Sequence, residues 1–305
     1  MIAIDWGTTS LRGALLDDAG RVLHERSAPR GILSVPAGGF PAVFDELFGD
    51  WMQAAGQVAL MAGMVGSQQG WQEAPYCPCP AGAADIARAL TWLRPGRIAI
   101  VPGLSCLAPA MAGHPLLPSV PDVMRGEETQ ILGALAEIGL RDATLVLPGT
   151  HSKWARVRGS RIEGFATHMT GEVYQLLRTH SLLARTLPPA QDSAAPDDEA
   201  FDLGVARALQ GQGLLHTAFS VRTLALMRQL ASERLPDYLS GLVIGEEIRH
   251  QSLSPDDTLV VVGAPALIHR YQRALASAGL SVRCLDGAVA WKGLWQLARH
   301  LELPA

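Results

Sequence analysis

The chain has 305 residues, 48% of them hydrophobic and 18% charged, with a net charge of −4. Such a composition excludes a disordered chain, and the lack of a basic stripe argues against a nucleic-acid partner. No apolar run approaches the ~20 residues of a membrane span, and the first run stops at Asp5, so no signal peptide, no membrane anchor and a cytoplasmic location are expected. Cys77, Cys79, Cys106 and Cys284 lack zinc-site spacing and read as reduced structural thiols.

Three short strands open the chain, over residues 2–5, 11–16 and 22–27, joined tightly enough to be antiparallel neighbours. Phe40, Val43, Phe44, Leu47 and Trp51 recur at helical spacing and predict a helix over 40–55. The near-continuous apolar run 58–64 predicts a buried parallel strand, which empties into Gly66-Ser67-Gln68-Gln69-Gly70-Trp71. Pro75, Pro78 and Pro80 mark a loop. A helix over 83–93 and a strand over 97–102 follow. Pro-rich residues 113–121 read as an interdomain connection or a structured active-site loop, and the domain boundary is set there, giving domains 1–117 and 118–305.

The second half opens with a helix over 126–138, then strands over 143–147, 153–157 and 161–167. Strand, Gly-Thr turn, strand, short turn, strand repeats the N-terminal order, so the chain reads as an internal duplication. Helices are predicted over 172–179, 200–209, 214–230 and 237–250, with an acidic loop over 191–199. A buried strand over 258–262, a helix over 266–277, a strand over 281–285 and a helix over 288–301 close the chain. The fold class is α/β with mixed sheets.

Three apolar strands end in small-residue turns: Asp5-Trp6-Gly7-Thr8-Thr9, Leu147-Pro148-Gly149-Thr150-His151 and Val262-Gly263-Ala264-Pro265. Turns of this kind expose backbone N–H groups that bind phosphate oxygens, and hydroxyls add donors without charge. No P-loop and no dinucleotide-binding Gly-x-Gly-x-x-Gly is present, which disfavours both of those phosphate sites.

Asp5 to Arg12 resembles the first phosphate motif of the sugar kinase, Hsp70 and actin superfamily. Leu147 to Thr150 resembles the second, and Val260 to Pro265 the adenosine motif. More specific strings resemble the 2-dehydro-3-deoxygalactonokinase family over almost the whole chain. They are Met61 to Ser67 with Gly70-Trp71, Met124 to Gln130, Pro148 to His151 with Lys153-Trp154, Met169 to Glu172, His180 to Leu182, and Leu239 to Leu242 with Ile244-Gly245.

The resemblance implies two duplicated domains of the actin-like ATPase (ribonuclease H-like) fold flanking a nucleotide cleft. It implies ATP and Mg²⁺ as cofactors, and 2-dehydro-3-deoxy-D-galactonate as the acceptor, phosphorylated on C6. Asp5 suits magnesium, mostly through water. Gly7, Thr8, Thr9, Gly149 and Thr150 suit the β- and γ-phosphates, and Arg12 the transferring group or a surface ion pair. Gly245, Gly263 and Ala264 are expected to flank the nucleotide. The hydroxyl's proton acceptor is expected at Glu127, with Glu128 kept open, although acids also suit a helix start for its dipole alone.

Arg125 and Arg30 are candidates for the acceptor's carboxylate. Ser67, Gln68 and Trp71 are candidates for its carbon chain and hydroxyls, with packing an equal reading for Trp71. His151 reads as a turn cap, Lys153 as a structural or solvated charge, and Glu172 as the first turn of a helix. The rival readings are a kinase of another small sugar acid or sugar, and a non-catalytic nucleotide-binding regulator. The sequence is silent on oligomeric state, and a homodimer is compatible with it.

Overall fold

The structure is a computed structural model that describes residues 1–107, 119–189 and 195–301. In chain order, β1 (Ile2–Trp6), β2 (Leu11–Leu16) and β3 (Val22–Ala28) precede α1 (Phe40–Phe48) and β4 (Ala59–Ala62). Next come β5 (Cys77–Pro78), α2 (Ala83–Arg88), β6 (Thr91–Arg94), β7 (Ile98–Ile100), β8 (Leu104–Leu107), β9 (Pro121–Met124) and α3 (Glu127–Ile138). The second half holds β10 (Ala143–Leu147), β11 (Ser152–Arg158), β12 (Arg161–His168), α4 (Thr170–His180), α5 (Asp198–Leu209), α6 (Leu214–Thr217), α7 (Ser220–Leu226) and α8 (Leu235–Arg249). It ends with β13 (Leu259–Gly263), α9 (Pro265–Ser277), β14 (Val282–Asp286) and α10 (Val289–Ala298).

One sheet has the order β3-β2-β1-β4-β7-β6 and another β12-β11-β10-β13-β14. The first five strands of one and all five of the other follow the same path, which is the duplication expected from the two Gly-Thr turns. β1 pairs antiparallel with β2 and parallel with β4, and β10 pairs parallel with β13. The chain divides into two compact units. One comprises Met1–Ala143, Ala155–Ala166 and the C-terminal residues from Gly287; the other comprises Thr144–Trp154 and Thr167–Asp286. The expected boundary at 117/118 lies outside the described residues.

In the first unit Ile2, Ile4 and Trp6 pack with Phe40, Phe44, Phe48, Met61, Ile98 and Ile100 in one buried cluster. α3 and α10 cross at two glycines. A Cβ on Gly133 would lie 1.8 Å from the Val289 carbonyl oxygen, and one on Gly293 would lie 1.8 Å from that of Thr129. In the second unit Val146, Val261, Trp154, Phe201, Ile244 and Tyr271 share a core.

Four elements depart from the sequence-based reading. α1 stops at Phe48, and Trp51–Gln53 is a separate 3-10 turn. α2 stops at Arg88, because Thr91–Arg94 turns back through Gly96, at φ +67°, to pair antiparallel with β7. The helix expected over 214–230 is the two short helices α6 and α7, where i to i+3 bonds at Phe219, Val221 and Arg222 tighten the chain. The proline-rich loop contributes β5 to a small sheet, β5-β8-β9. That two-residue strand pairs with residues 104–107, which pair in turn with 121–124, an arrangement no local pattern shows.

Candidate active site

In the first unit, Asp5 ends the apolar part of β1 and faces Arg12 on β2, whose Nη2 donates to Asp5 Oδ2 at 2.5 Å. The Arg12 guanidinium also lies 5.7 Å from the Trp291 ring centre. Thr8 and Thr9 are exposed, so their hydroxyls are available to a ligand. Residues 31–33 shape the turn. Ile32 N–H donates to Gly7 O at 3.0 Å, and a Cβ on Gly31 would lie 2.3 Å from the Thr8 and Thr9 backbone.

The start of α3 is reached through two glycines. Gly63, at φ +90°, leaves room for no side chain, because a Cβ would lie 2.9 Å from Trp6 O and 3.3 Å from Asp5 Oδ1. Gly126, at φ +106°, is the N-cap of α3, and a Cβ there would lie 3.4 Å from Gly63 Cα. Asp5, Gly63, Gly126 and Glu127 therefore form one contiguous line. Glu127 Oε2 accepts from Arg125 N at 3.0 Å, and Glu128 Oε2 accepts from Gly126 N at 2.7 Å. Two acids of the first turn thus accept from the backbone N–H groups of Arg125 and Gly126, just ahead of α3. Glu127 is half-buried, whereas Glu128 is 0% exposed. Burial, with Glu127 beside it, pushes the Glu128 carboxyl up to about 8.

The acceptor candidates separate. Arg125 lies over the Tyr76 ring at 4.5 Å and donates from Nη2 to Ala74 O at 2.7 Å. Arg30 instead pairs with Glu46 at 3.3 Å in an exposed ion pair, so its charge is engaged at the surface. Ser67 Oγ donates to Met64 O at 2.7 Å, and Gln68 is exposed. Trp71 packs edge-on to Trp6 and stacks on Phe40 at 6.5 Å, so the packing reading describes its ring.

In the second unit the C-terminal ends of β10 and β13 lie together, the usual place for a ligand on an open parallel sheet. A Cβ on Gly263 would lie 3.6 Å from Pro148 Cδ, so the turn carrying Gly149 and Thr150 adjoins the one carrying Gly263 and the exposed Ala264. α4 buttresses the first of these turns. A Cβ on Gly171 would meet Gly149 O at 2.6 Å, and Glu172 N–H donates to Thr150 O. His151 Nε2 is 2.6 Å from Glu172 Oε2, which suits a turn cap. Lys153 is buried and donates to Thr167 Oγ1. Gly245 is buried where α5 crosses α8, with a Cβ position 2.8 Å from Ala208 Cβ, so it permits close helix packing.

The family model of 2-keto-3-deoxy-galactonokinase matches residues 5–297. The chain belongs to that family. A 2-dehydro-3-deoxygalactonokinase of Escherichia coli (strain K12) is 37% identical over 294 residues, covering 95% of this chain and 94% of the relative. A solved Sinorhizobium meliloti structure assigned as a 2-dehydro-3-deoxygalactonokinase is 36% identical, covers 98% of this chain and 97% of its own, and superposes with a TM-score of 0.85. A component of the Acidaminococcus fermentans (R)-2-hydroxyglutaryl-CoA dehydratase, 11% identical over 98% of each chain with a TM-score of 0.52, shares only the fold. That fold is the actin-like ATPase and sugar-kinase fold.

One element of this family member is not signalled by any turn motif. Glu247 on α8 is 3% exposed and accepts from Ser152 Oγ (2.8 Å), Trp154 Nε1 (2.6 Å), Tyr271 OH (2.7 Å) and Thr170 Oγ1. Four donors from three elements, β11, α4 and α9, converge on one carboxylate beside the second Gly-Thr turn. Its only sequence signal is an acid on the face of α8 that also carries Leu239, Val243 and Ile244. Among the described residues no group of three or more His, Cys, Asp or Glu side chains forms a metal cage. No helix among them is long and apolar enough to cross a membrane.

Proposed function

We propose that this chain transfers the γ-phosphoryl group of ATP to the C6 hydroxyl of 2-dehydro-3-deoxy-D-galactonate, giving 2-dehydro-3-deoxy-6-phosphogalactonate and ADP in the cytoplasm. Membership of the family supports the substrate. The observation that supports the chemistry is the contiguity of Asp5, Gly63 and Gly126, with Glu127 next along the chain, by which the turn after β1 adjoins the start of α3.

Phosphoryl transfer needs positioning, charge neutralisation and a proton acceptor. Glu127 takes the hydroxyl proton. Its neighbour Glu128, protonated at neutral pH, is a poor base there. The N–H groups and hydroxyls of Gly7, Thr8 and Thr9 in the first unit hold phosphate oxygens, and Gly149 and Thr150 in the second unit form a turn of the same kind. Arg12 exchanges its Asp5 partner for the transferring group. A single carboxylate with hydroxyl neighbours fits Mg²⁺, which keeps several waters; Asp5 would hold it, and it would supply charge neutralisation at the phosphates. Gly263 and Ala264 lie where the adenosine would reach the end of β13.

A coupled ADP-release assay over a panel of sugar acids and sugars tests the assignment. Turnover with 2-dehydro-3-deoxy-D-galactonate above the other acceptors is the expected result. No turnover with any 2-keto-3-deoxy sugar acid overturns it.

A further inference from the structure

Among the described residues five buried side-chain polar atoms lack a hydrogen-bond partner, and three of them lie in one four-residue stretch: Arg125 Nε, Arg125 Nη1 and Glu128 Oε1. Buried polar atoms are nearly always paired, because an orphan costs its full desolvation. Three orphans together mark a place built for a polar group that the protein itself does not supply.

The stretch is held rigid on every side. Arg125 is pinned by its Nη2 bond to Ala74 O and by Tyr76, and its own N–H is held by Glu127. Gly66 keeps room next to the guanidinium, since a Cβ there would lie 2.8 Å from Nη1. Glu128 Oε2 is tied to Gly126 N, which leaves Oε1 over. Arg125 is close enough to act on the Glu128 carboxyl electrostatically.

We propose that Arg125 and Glu128 form the anion subsite of the acceptor, in which the Arg125 guanidinium binds the substrate's C1 carboxylate and the Glu128 O–H donates a further hydrogen bond to it. The inference rests on the sugar-acid reading above and assigns its specificity. Two orphan N–H-bearing nitrogens and one carboxylic O–H are all donors, and a carboxylate accepts from all three. The high affinity of Glu128 for its proton keeps that donor present at neutral pH. Arg30, in an exposed ion pair with Glu46, presents no buried unpaired donor.

The test is calorimetric titration of 2-dehydro-3-deoxy-D-galactonate into the full chain without ATP, for the wild type, Arg125→Met, Arg125→Lys and Glu128→Gln, with the thermal midpoint of each. Kinetics follow with the sugar acid and with the analogue carrying a hydroxymethyl group in place of the carboxylate. Arg125→Met weakens sugar-acid binding by about 10- to 100-fold. Arg125→Lys recovers part of this, and Glu128→Gln, whose amide still donates, stays near wild type. In turnover Arg125→Met raises KM for the sugar acid, leaves KM for ATP unchanged, and abolishes the preference over the hydroxymethyl analogue. A folded Arg125→Met that binds the sugar acid as tightly as the wild type overturns the subsite. A wild type that binds the sugar acid in an Arg125-dependent way but transfers no phosphoryl group overturns the kinase reading alone. A wild type that does not bind it overturns both.

Discussion

Asp5 and Arg12 are direct cross-strand partners on β1 and β2, joined by a 2.5 Å bond from Arg12 Nη2 to Asp5 Oδ2. The pair is partly exposed, 44% for the arginine side chain and 24% for the aspartate. An exposed pair of this kind contributes about 0–1 kcal/mol to stability. Its position at the mouth of the first Gly-Thr turn, not its energy, gives it the use proposed above.

Asp5→Asn is therefore expected to leave the unfolding midpoint nearly unchanged while lowering kcat by roughly 10²–10³-fold. Urea unfolding beside steady-state kinetics checks this. A variant with near-normal turnover would remove Asp5 from the phosphate site.

Glu127→Gln is expected to lower kcat by about 10²–10⁴-fold while ATP still binds, as loss of a general base does. Glu128→Gln, which mimics the protonated acid already present, keeps most of the activity. Nucleotide titration together with turnover separates the two, and the reverse pattern would move the base by one residue.

The raised Glu128 carboxyl predicts a pH dependence of stability. Its folded value of about 8 stands above the ordinary 4.5. Below about 4.5 both folded and unfolded chains hold the proton. Between there and about 8 the unfolded chain releases it while the folded chain keeps it, so stability falls as pH rises through that window. Thermal midpoints measured from pH 5 to 9 should decline more steeply for the wild type than for Glu128→Gln.

Glu247→Ala is expected to destabilise the chain by about 3–5 kcal/mol, because Ser152, Trp154, Thr170 and Tyr271 lose their shared acceptor. Glu247→Gln should cost less, since the amide oxygen still accepts. Denaturant titration of both variants measures the difference. Equal midpoints for the wild type and the alanine variant would contradict a structural role for the network.

Gly133→Ala places a methyl group 1.8 Å from the Val289 carbonyl oxygen and forces α3 away from α10. A loss of about 1–3 kcal/mol is expected, as for overpacked cores. Turnover should fall as well, since Glu127 rides on α3. Unfolding and kinetics on the same preparation check both arms.

Much of this protein is local and so was legible in its residues. β1 to β3 and β10 to β12 show their strands as apolar runs cut by Gly-Thr turns, and the repeat of that pattern shows the duplication. A Gly followed by hydroxyls marks a phosphate turn because the chemistry lies in consecutive backbone N–H groups. Asp5, Thr8, Thr9, Gly149 and Thr150 are proposed on that ground, and Glu127 and Glu128 as acids at a helix start.

Burial and long-range partnership are not local, and there only the tertiary structure decides. Which of two adjacent acids stays half-open and which holds its proton depends on how α3 packs, not on their order. Arg30 and Arg125 look alike in sequence; one meets Glu46 and the other keeps two buried nitrogens unpaired. Gly245 is expected at the nucleotide from sequence, and the close approach of α5 to it exists only once the helices pack. Glu247 draws its four donors from 24 to 95 residues away. No period or motif carries such a set, because hydrogen bonds between distant elements exist only once the elements have packed.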